Sequence, residues 1–303
     1  VGSEVFLSLE RLRKVRELDA VSGVVTLEAG LVVEEANAWL NERGFELPLD
    51  LGSKGSCQVG GVVSTHAGGL RVVRFGSLRG SILGLEVVLA DGQVLDVLSG
   101  LKKDNMGLSL PQLFVGTEGS LGIVTAAKLA VPRVRVGRCS ALVACESFES
   151  VLQVLTHAQE QLGECLSAVE FWDDKCMDLV LSTASLSSLS NPIDDDIYPF
   201  YVLVEAAGAD QSHTAGKMET FVQHAFAANC AITGVLADAE AQTQRLFALR
   251  ESITLALSDR GPAFKYDFSL PTPQLYDLVP VTHQHLQRTL HDPSDALVVG
   301  YGH

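Results

Sequence analysis

Apolar and polar positions follow one another in different rhythms along this chain, and each change of rhythm marks an element. Residues 21–29, VSGVVTLEA, are Val-rich with partial alternation and predict a strand that Gly30 ends. From Glu34 to Arg43, Ala36, Trp39 and Leu40 recur on one side, so a helix is expected, with Gly44 at its C-terminal cap. Residues 51–84 lose that periodicity: glycines recur and helix formers are scarce, yet Val, Leu and Ile are interleaved throughout. That mixture predicts structured turns rather than a flexible linker. LGLEVVLA, then Asp91-Gly92, then QVLDVL predicts a hairpin, because Asp-Gly between two apolar runs favours a tight turn. Residues 113–131 end in a further strand.

The rhythm changes again near Pro132. A strand at 141–145 (ALVAC), helices at 147–162 and about 170–181, and a polar, acidic loop over 182–198 are expected. A strand at 200–208 (FYVLVEAAG) and helices near 214–228 and 240–258 follow. This order predicts an α+β protein whose second half is an antiparallel sheet with helices on one face. The boundary is expected at 132–138, giving domains 1–133 and 134–303.

Composition narrows the function. The hydrophobic fraction of 47% supplies ample core. The net charge of −15, from 37 acidic and 22 basic residues, repels phosphate backbones and argues against nucleic acid. An anionic substrate then requires a local basic pocket. The six cysteines form no C-x-x-C pair and read as reduced thiols. No apolar run approaches the roughly 20 residues that span a bilayer. The first residue is Val, so the natural N-terminus is expected to lie outside the sequence.

Glycine serves where the backbone takes positive φ or approaches a ligand, and clustered glycines present bare N–H groups that suit a pyrophosphate. Gly55 and Gly60 have P-loop spacing, but Gly61-Val62 follows where Lys and Ser/Thr are needed, and no strand-G-x-G-x-x-G-helix order is present. Spacing alone leaves structural turns as the better reading. The full string PLDLGSKGSCQVGGVVSTHAGGLRVVRFGSLRGSILGLEVVLADGQV, with GTEGSLGIVT downstream, is more specific. It resembles the flavin-binding (PCMH-type) domain of the vanillyl-alcohol-oxidase superfamily and, within it, the D-2-hydroxyglutarate dehydrogenase family. The resemblance implies a partial PCMH-type FAD domain followed by an α+β cap domain. It also implies that Pro48, Gly55, Ser56 and Cys57 lie along FAD, and that Gly60, Gly61, Thr65, Gly68 and Gly76 line it. Glu118, Gly119, Gly122 and Ile123 would close over it. His66 stands where the family usually has Asn, and the family's first FAD loop is expected upstream of residue 1.

In the helix expected at 240–258, Leu246, Ile253 and Leu257 form a stripe that also takes in Arg250 and Thr254. A buried guanidinium needs an anionic partner. The spacing leaves an internal ion pair, a snorkelling Arg and a ligand site all open. PAFKYDFSLP, residues 262–271, alternates like a strand with Lys265, Asp267 and Ser269 on one side. An exposed Lys is the default there, as an exposed inert ring is for the terminal His303. LRESIT with FKYDFSLP resembles the family's substrate segment, which implies that Arg250, Thr254 and Lys265 grip the carboxylates of a small 2-hydroxy acid. The resemblance further implies that His303 is the first ligand of a zinc ion. The implied reaction is oxidation of D-2-hydroxyglutarate to 2-oxoglutarate by hydride transfer to FAD. The alternatives are a D-lactate or glycolate dehydrogenase of the same superfamily, or an inactive truncated product. The resemblance further implies an electron-transfer flavoprotein or quinone-linked carrier as acceptor, and a mitochondrial home if the source is a eukaryote, otherwise the cytoplasm; a homodimer is compatible with it.

Overall fold

The structure, a computed structural model, describes residues 5–194, 196–290 and 296–303. Asp195 of the acidic loop lies outside the described residues. The chain divides into two compact units, Val1–Val134 and Arg135–His303.

The first unit is built on an antiparallel sheet of order β1-β2-β5-β3-β4, formed by β1 (Val15–Asp19), β2 (Val24–Glu28), β3 (Ile82–Val88), β4 (Val94–Val97) and β5 (Ile123–Ala130). Strand β2 is buried along its whole length, as its Val-rich sequence requires. The hairpin forms at Asp91-Gly92: Val88 pairs with Val94, and Gly92 takes φ +85°. Strand β1 has no counterpart in the sequence reading, because VRELD is polar and exposed. It is an edge strand, held by Arg16, whose guanidinium bridges Glu28 on β2 and Glu86 on β3. Helix α1 (Val33–Asn41) lays Ala36 and Leu40 into the core, and Gly44, at φ +77°, follows its end. The glycine-rich stretch carries α2 (Val59–Thr65) and the short α3 (Val72–Phe75), and α4 (Pro111–Phe114) precedes β5.

The second unit is an antiparallel sheet of order β10-β7-β8-β6-β9. Its strands and helices run β6 (Gly137–Cys145), α5 (Phe148–Leu162), β7 (Leu166–Asp173), α6 (Asp174–Ser182), β8 (Phe200–Gly208), α7 (Gln211–Ala227), β9 (Thr233–Ala237), α8 (Glu240–Arg260), α9 (Leu278–Thr289) and β10 (Tyr301–Gly302). Three expectations are corrected. Helices cover both faces of the sheet, not one: α5 and α7 pack on Val143, Val202 and Val204, while α6 and α8 pack on Leu142, Tyr201 and Leu203. The unbroken apolar runs of β6 and β8 are the physical reason, since a strand buried on both faces does not alternate. Residues 170–173 end strand β7 and are not helical; the helix starts at Asp174, capped by the Asp173 carboxylate, which accepts from Cys176 N. Residues 262–270 form no strand. Alternation alone does not make a strand without a neighbour to pair with, and Phe264, Tyr266 and Phe268 are all exposed here.

Candidate functional site

The glycine-rich region of the first unit separates into glycines fixed by packing and glycines left bare. A Cβ on Gly60 would meet the Ala29 Cβ at 2.6 Å, and the Gly60 N–H bonds Ala29 O at 2.7 Å, so this glycine joins α2 to the end of β2. A Cβ on Gly122 would meet Val87 Cγ1 at 2.6 Å. Gly61, Gly68, Gly76 and Gly119 have open space where a Cβ would stand, and all four are exposed. Gly76 and Gly119 take φ +67° and +82°. Thr65, exposed at the end of α2, lies in the same stretch. The loop of Gly116, Glu118 and Gly119 docks on the C-terminal turn of α2, where Gly116 N bonds Val63 O and Glu118 N bonds Ser64 O at 2.9 Å. Bare, exposed, positive-φ backbone beside a pinned loop is a surface a dinucleotide can approach closely, and these residues fit FAD.

Other members of the sequence set are less open. Pro48 is buried, and Cys57 is half-buried, its carbonyl accepting from Val33 N. Gly55 and Ser56 sit in the exposed turn between them, and Ile123 begins β5. His66 ends α2 in the left-handed conformation, φ 50° and ψ 48°, and its buried Nε2 has no hydrogen-bond partner.

The second unit gathers charge around one strand. β10 pairs with β7 through Tyr301–Trp172 and Gly302–Phe171, and that register continued sets His303 opposite Glu170. Antiparallel partners directly opposite project to the same face. The pairing is clamped by Asp173: its backbone N–H bonds Gly300 O at 3.1 Å, and its carboxylate accepts from Gly300 N at 2.7 Å and from the Tyr276 hydroxyl at 3.0 Å. Burial pushes the Asp173 carboxyl up, and these hydrogen bonds oppose the shift. Gly300 is required there, because a Cβ would lie 2.7 Å from the Tyr276 ring.

Glu170 is fully buried and faces two partners. Arg250 Nε, on α8, lies 2.9 Å from Oε2, and His303 Nδ1 lies 3.3 Å from Oε1. Neither contact has the alignment of a full hydrogen bond, so both Glu170 oxygens and Arg250 Nε stay without an aligned partner. The bent hydrogen bond to Glu170 raises the His303 imidazole above its ordinary 6.5, burial opposes this, and the charges of Glu170 and Asp267 add to the rise. The Arg250 guanidinium stacks 4.5 Å over the Tyr301 ring, whose hydroxyl lies 3.3 Å from Thr254 Oγ1. No described residue accepts from the two terminal nitrogens of Arg250.

The sequence stripe is therefore correct for Arg250, which is buried beside Leu246 and Ile253, while Thr254 lies at its exposed edge. Arg250, Thr254 and His303 come together. Lys265 is exposed and has no bond to that cluster, although Asp267 two residues on acts on His303. Glu170 and Tyr301 were missed. The signal for Glu170 was present, since LSAVEFWD sets this glutamate inside an apolar run, as α8 puts one guanidinium in an apolar stripe. Two buried charges of opposite sign in one unit are expected to meet. Among the described residues no three His, Cys, Asp or Glu side chains converge on a point that could hold a metal. Catalytic zinc takes three protein ligands, so these residues do not by themselves fit it.

Residues 1–98 match the model of an FAD binding domain, and residues 136–303 match that of the C-terminal domain of FAD linked oxidases. The mitochondrial D-2-hydroxyglutarate dehydrogenase of Rattus norvegicus is 46% identical over 303 residues, covering 100% of this chain and 55% of that protein. A D-2-hydroxyglutarate–pyruvate transhydrogenase of Saccharomyces cerevisiae is 36% identical over 307 residues, covering 100% of this chain and 61% of its own length. The chain thus spans about half the length of the curated relatives it matches. Among solved structures, an alkyldihydroxyacetonephosphate synthase superposes with a TM-score of 0.70 at 16% identity, over 93% of this chain and 56% of that one, which speaks to the fold alone. With more than half of its residues matched by their C-terminal domain, the chain belongs to the FAD-linked oxidases.

Proposed function

We propose that this chain serves an FAD-dependent dehydrogenase that oxidises D-2-hydroxyglutarate to 2-oxoglutarate, the first unit holding cofactor and the second holding substrate. The observation that carries this reading is Arg250: buried, tethered through Nε to Glu170, and left with a planar pair of terminal nitrogens for a substrate carboxylate. Thr254 offers a hydroxyl one turn further along α8. Lys265 supplies a second cation for the distal carboxylate. Gly61, Thr65, Gly68, Gly76, Glu118 and Gly119 hold FAD by close backbone approach, with Pro48, Gly55, Ser56, Cys57 and Ile123 along it. Gly60 and Gly122 support that surface from beneath. Bound FAD supplies the hydride acceptor for C2 of the substrate. The chain's own residues bind and orient: Arg250 fixes one carboxylate, and His303 presents its second ring nitrogen toward the substrate hydroxyl.

A metal at His303 needs at least two further ligands, and no step is assigned to it. The electron acceptor is an electron-transfer flavoprotein or quinone-linked carrier, the protein works in mitochondria as its relatives are named, and a homodimer is compatible with the reading. A second reading, a dehydrogenase of D-lactate or glycolate, is favoured by one observation: Lys265 is exposed and makes no bond to the cluster around Arg250, so a site with one cation and one substrate carboxylate is a consistent alternative. Turnover of D-2-hydroxyglutarate, D-lactate and glycolate decides. The proposal expects kcat/KM highest for D-2-hydroxyglutarate, and a preference for a monocarboxylate establishes the second reading.

A further inference from the structure

We propose that Glu170 is a positioning residue: it holds Arg250 by Nε and His303 by Nδ1, so that the terminal nitrogens of Arg250 and Nε2 of His303 are the atoms presented to a ligand. What that ligand is rests on the function proposed above; the positioning itself rests on geometry. Glu170 is wholly buried on β7, and its partners arrive from two other elements, α8 at 2.9 Å and the end of β10 at 3.3 Å. A guanidinium is planar, so engaging its Nε edge and stacking its face on Tyr301 fixes the direction of its remaining fork. An imidazole has two distinct nitrogens, and with Nδ1 set 3.3 Å from the Glu170 carboxylate the neutral ring is favoured with its proton on Nδ1, which leaves Nε2 the acceptor. The clamp of Asp173 on Gly300 sets the strand register that brings His303 to Glu170 at all.

A carboxylate buried only for stability would be saturated by aligned donors. Glu170 is not: neither oxygen has an aligned hydrogen bond. That slack suits a group whose contacts tighten when a ligand draws on the far sides of Arg250 and His303.

The test uses the full chain in metal-free buffer, and begins with long-range proton–nitrogen NMR of the imidazoles at a pH above the end of the His303 titration, where that ring is neutral. His303→Gln assigns the signal. The wild type is expected to carry the His303 proton on Nδ1, and Glu170→Ala to move it to Nε2. A wild-type proton on Nε2, or a folded Glu170→Ala variant with the tautomer unchanged, overturns the proposal, and the wild-type arm does so whether or not the variants fold. In the FAD-loaded protein, Glu170→Gln is expected to raise KM for D-2-hydroxyglutarate at least about tenfold, the scale of one charge-assisted hydrogen bond. A smaller change in kcat and partial recovery in Glu170→Asp are expected, whereas an unchanged KM counts against the proposal. If the wild type turns over no D-2-hydroxy acid, the functional reading fails, and the tautomer measurement still decides the role of Glu170.

Discussion

Replacing Arg250 by Met removes a cation from a site that keeps its anion. Glu170 has no exposure, and with the 2.9 Å contact gone His303, at 3.3 Å and itself 36% exposed, is the one charged partner left to it among the described residues. Breaking a buried ion pair by deleting one partner costs about 3–5 kcal/mol. His303 compensates in part, which places the expected loss near the low end, about 3 kcal/mol. Met fills most of the volume, so a cavity adds little. For a domain of this size about 1 kcal/mol moves Tm by roughly 2–4 °C, so calorimetry should show the second unit melting about 6–12 °C lower. Arg250→Met combined with Glu170→Gln removes both charges and is expected to recover most of the loss, because replacing a whole buried pair is often close to neutral. The reasoning is refuted by a single variant melting within about 2 °C of wild type, or by a double variant no more stable than the single.

Further predictions follow from other parts of the structure. The folded pKa of His303 is raised, so its stabilising contribution is fully present below its ordinary 6.5 and fades as pH climbs through the higher folded value; denaturant titrations across that window should show a slope that His303→Gln flattens. Gly60→Ala is expected to destabilise by about 1–3 kcal/mol through its contact with Ala29. Gly61→Ala, with open space around it, should leave stability unchanged or slightly higher while weakening FAD retention, as equilibrium dialysis would report. Asp173→Ala removes the α6 cap and the clamp on Gly300 and should cost about 2 kcal/mol or more, with loss of the His303–Glu170 interaction in NMR. Lys265→Ala should weaken D-2-hydroxyglutarate much more than D-lactate, and equal losses would remove Lys265 from the specificity argument.

Much of this fold was legible because its strands and helices carry their own signals. The Asp91-Gly92 turn, the Val-rich β2 and the unbroken β8 each state their role locally. Strand β1 did not, because an edge strand can be polar and is held by partners distant in sequence, here Glu28 and Glu86. The start of α6 was misread because Asp173 is at once the last residue of a strand and a helix cap, and periodicity over LSAVEFWDDKCMDLV does not divide the two. Arg250 was found by its place in an apolar stripe. Its partner was not, since nothing local in β7 or α8 says that they meet, and the pairing of β10 with β7 crosses more than a hundred residues. Among the glycines, sequence could not tell Gly60, which packs, from Gly61, which stands open.

The most direct measurement of the central claim is the visible spectrum of the purified protein, followed by anaerobic addition of D-2-hydroxyglutarate. Bound flavin that bleaches with D-2-hydroxyglutarate, bleaches less with D-lactate, and stays oxidised in Arg250→Ala is the predicted result. A folded protein that retains no flavin, or whose flavin no D-2-hydroxy acid reduces, contradicts the account.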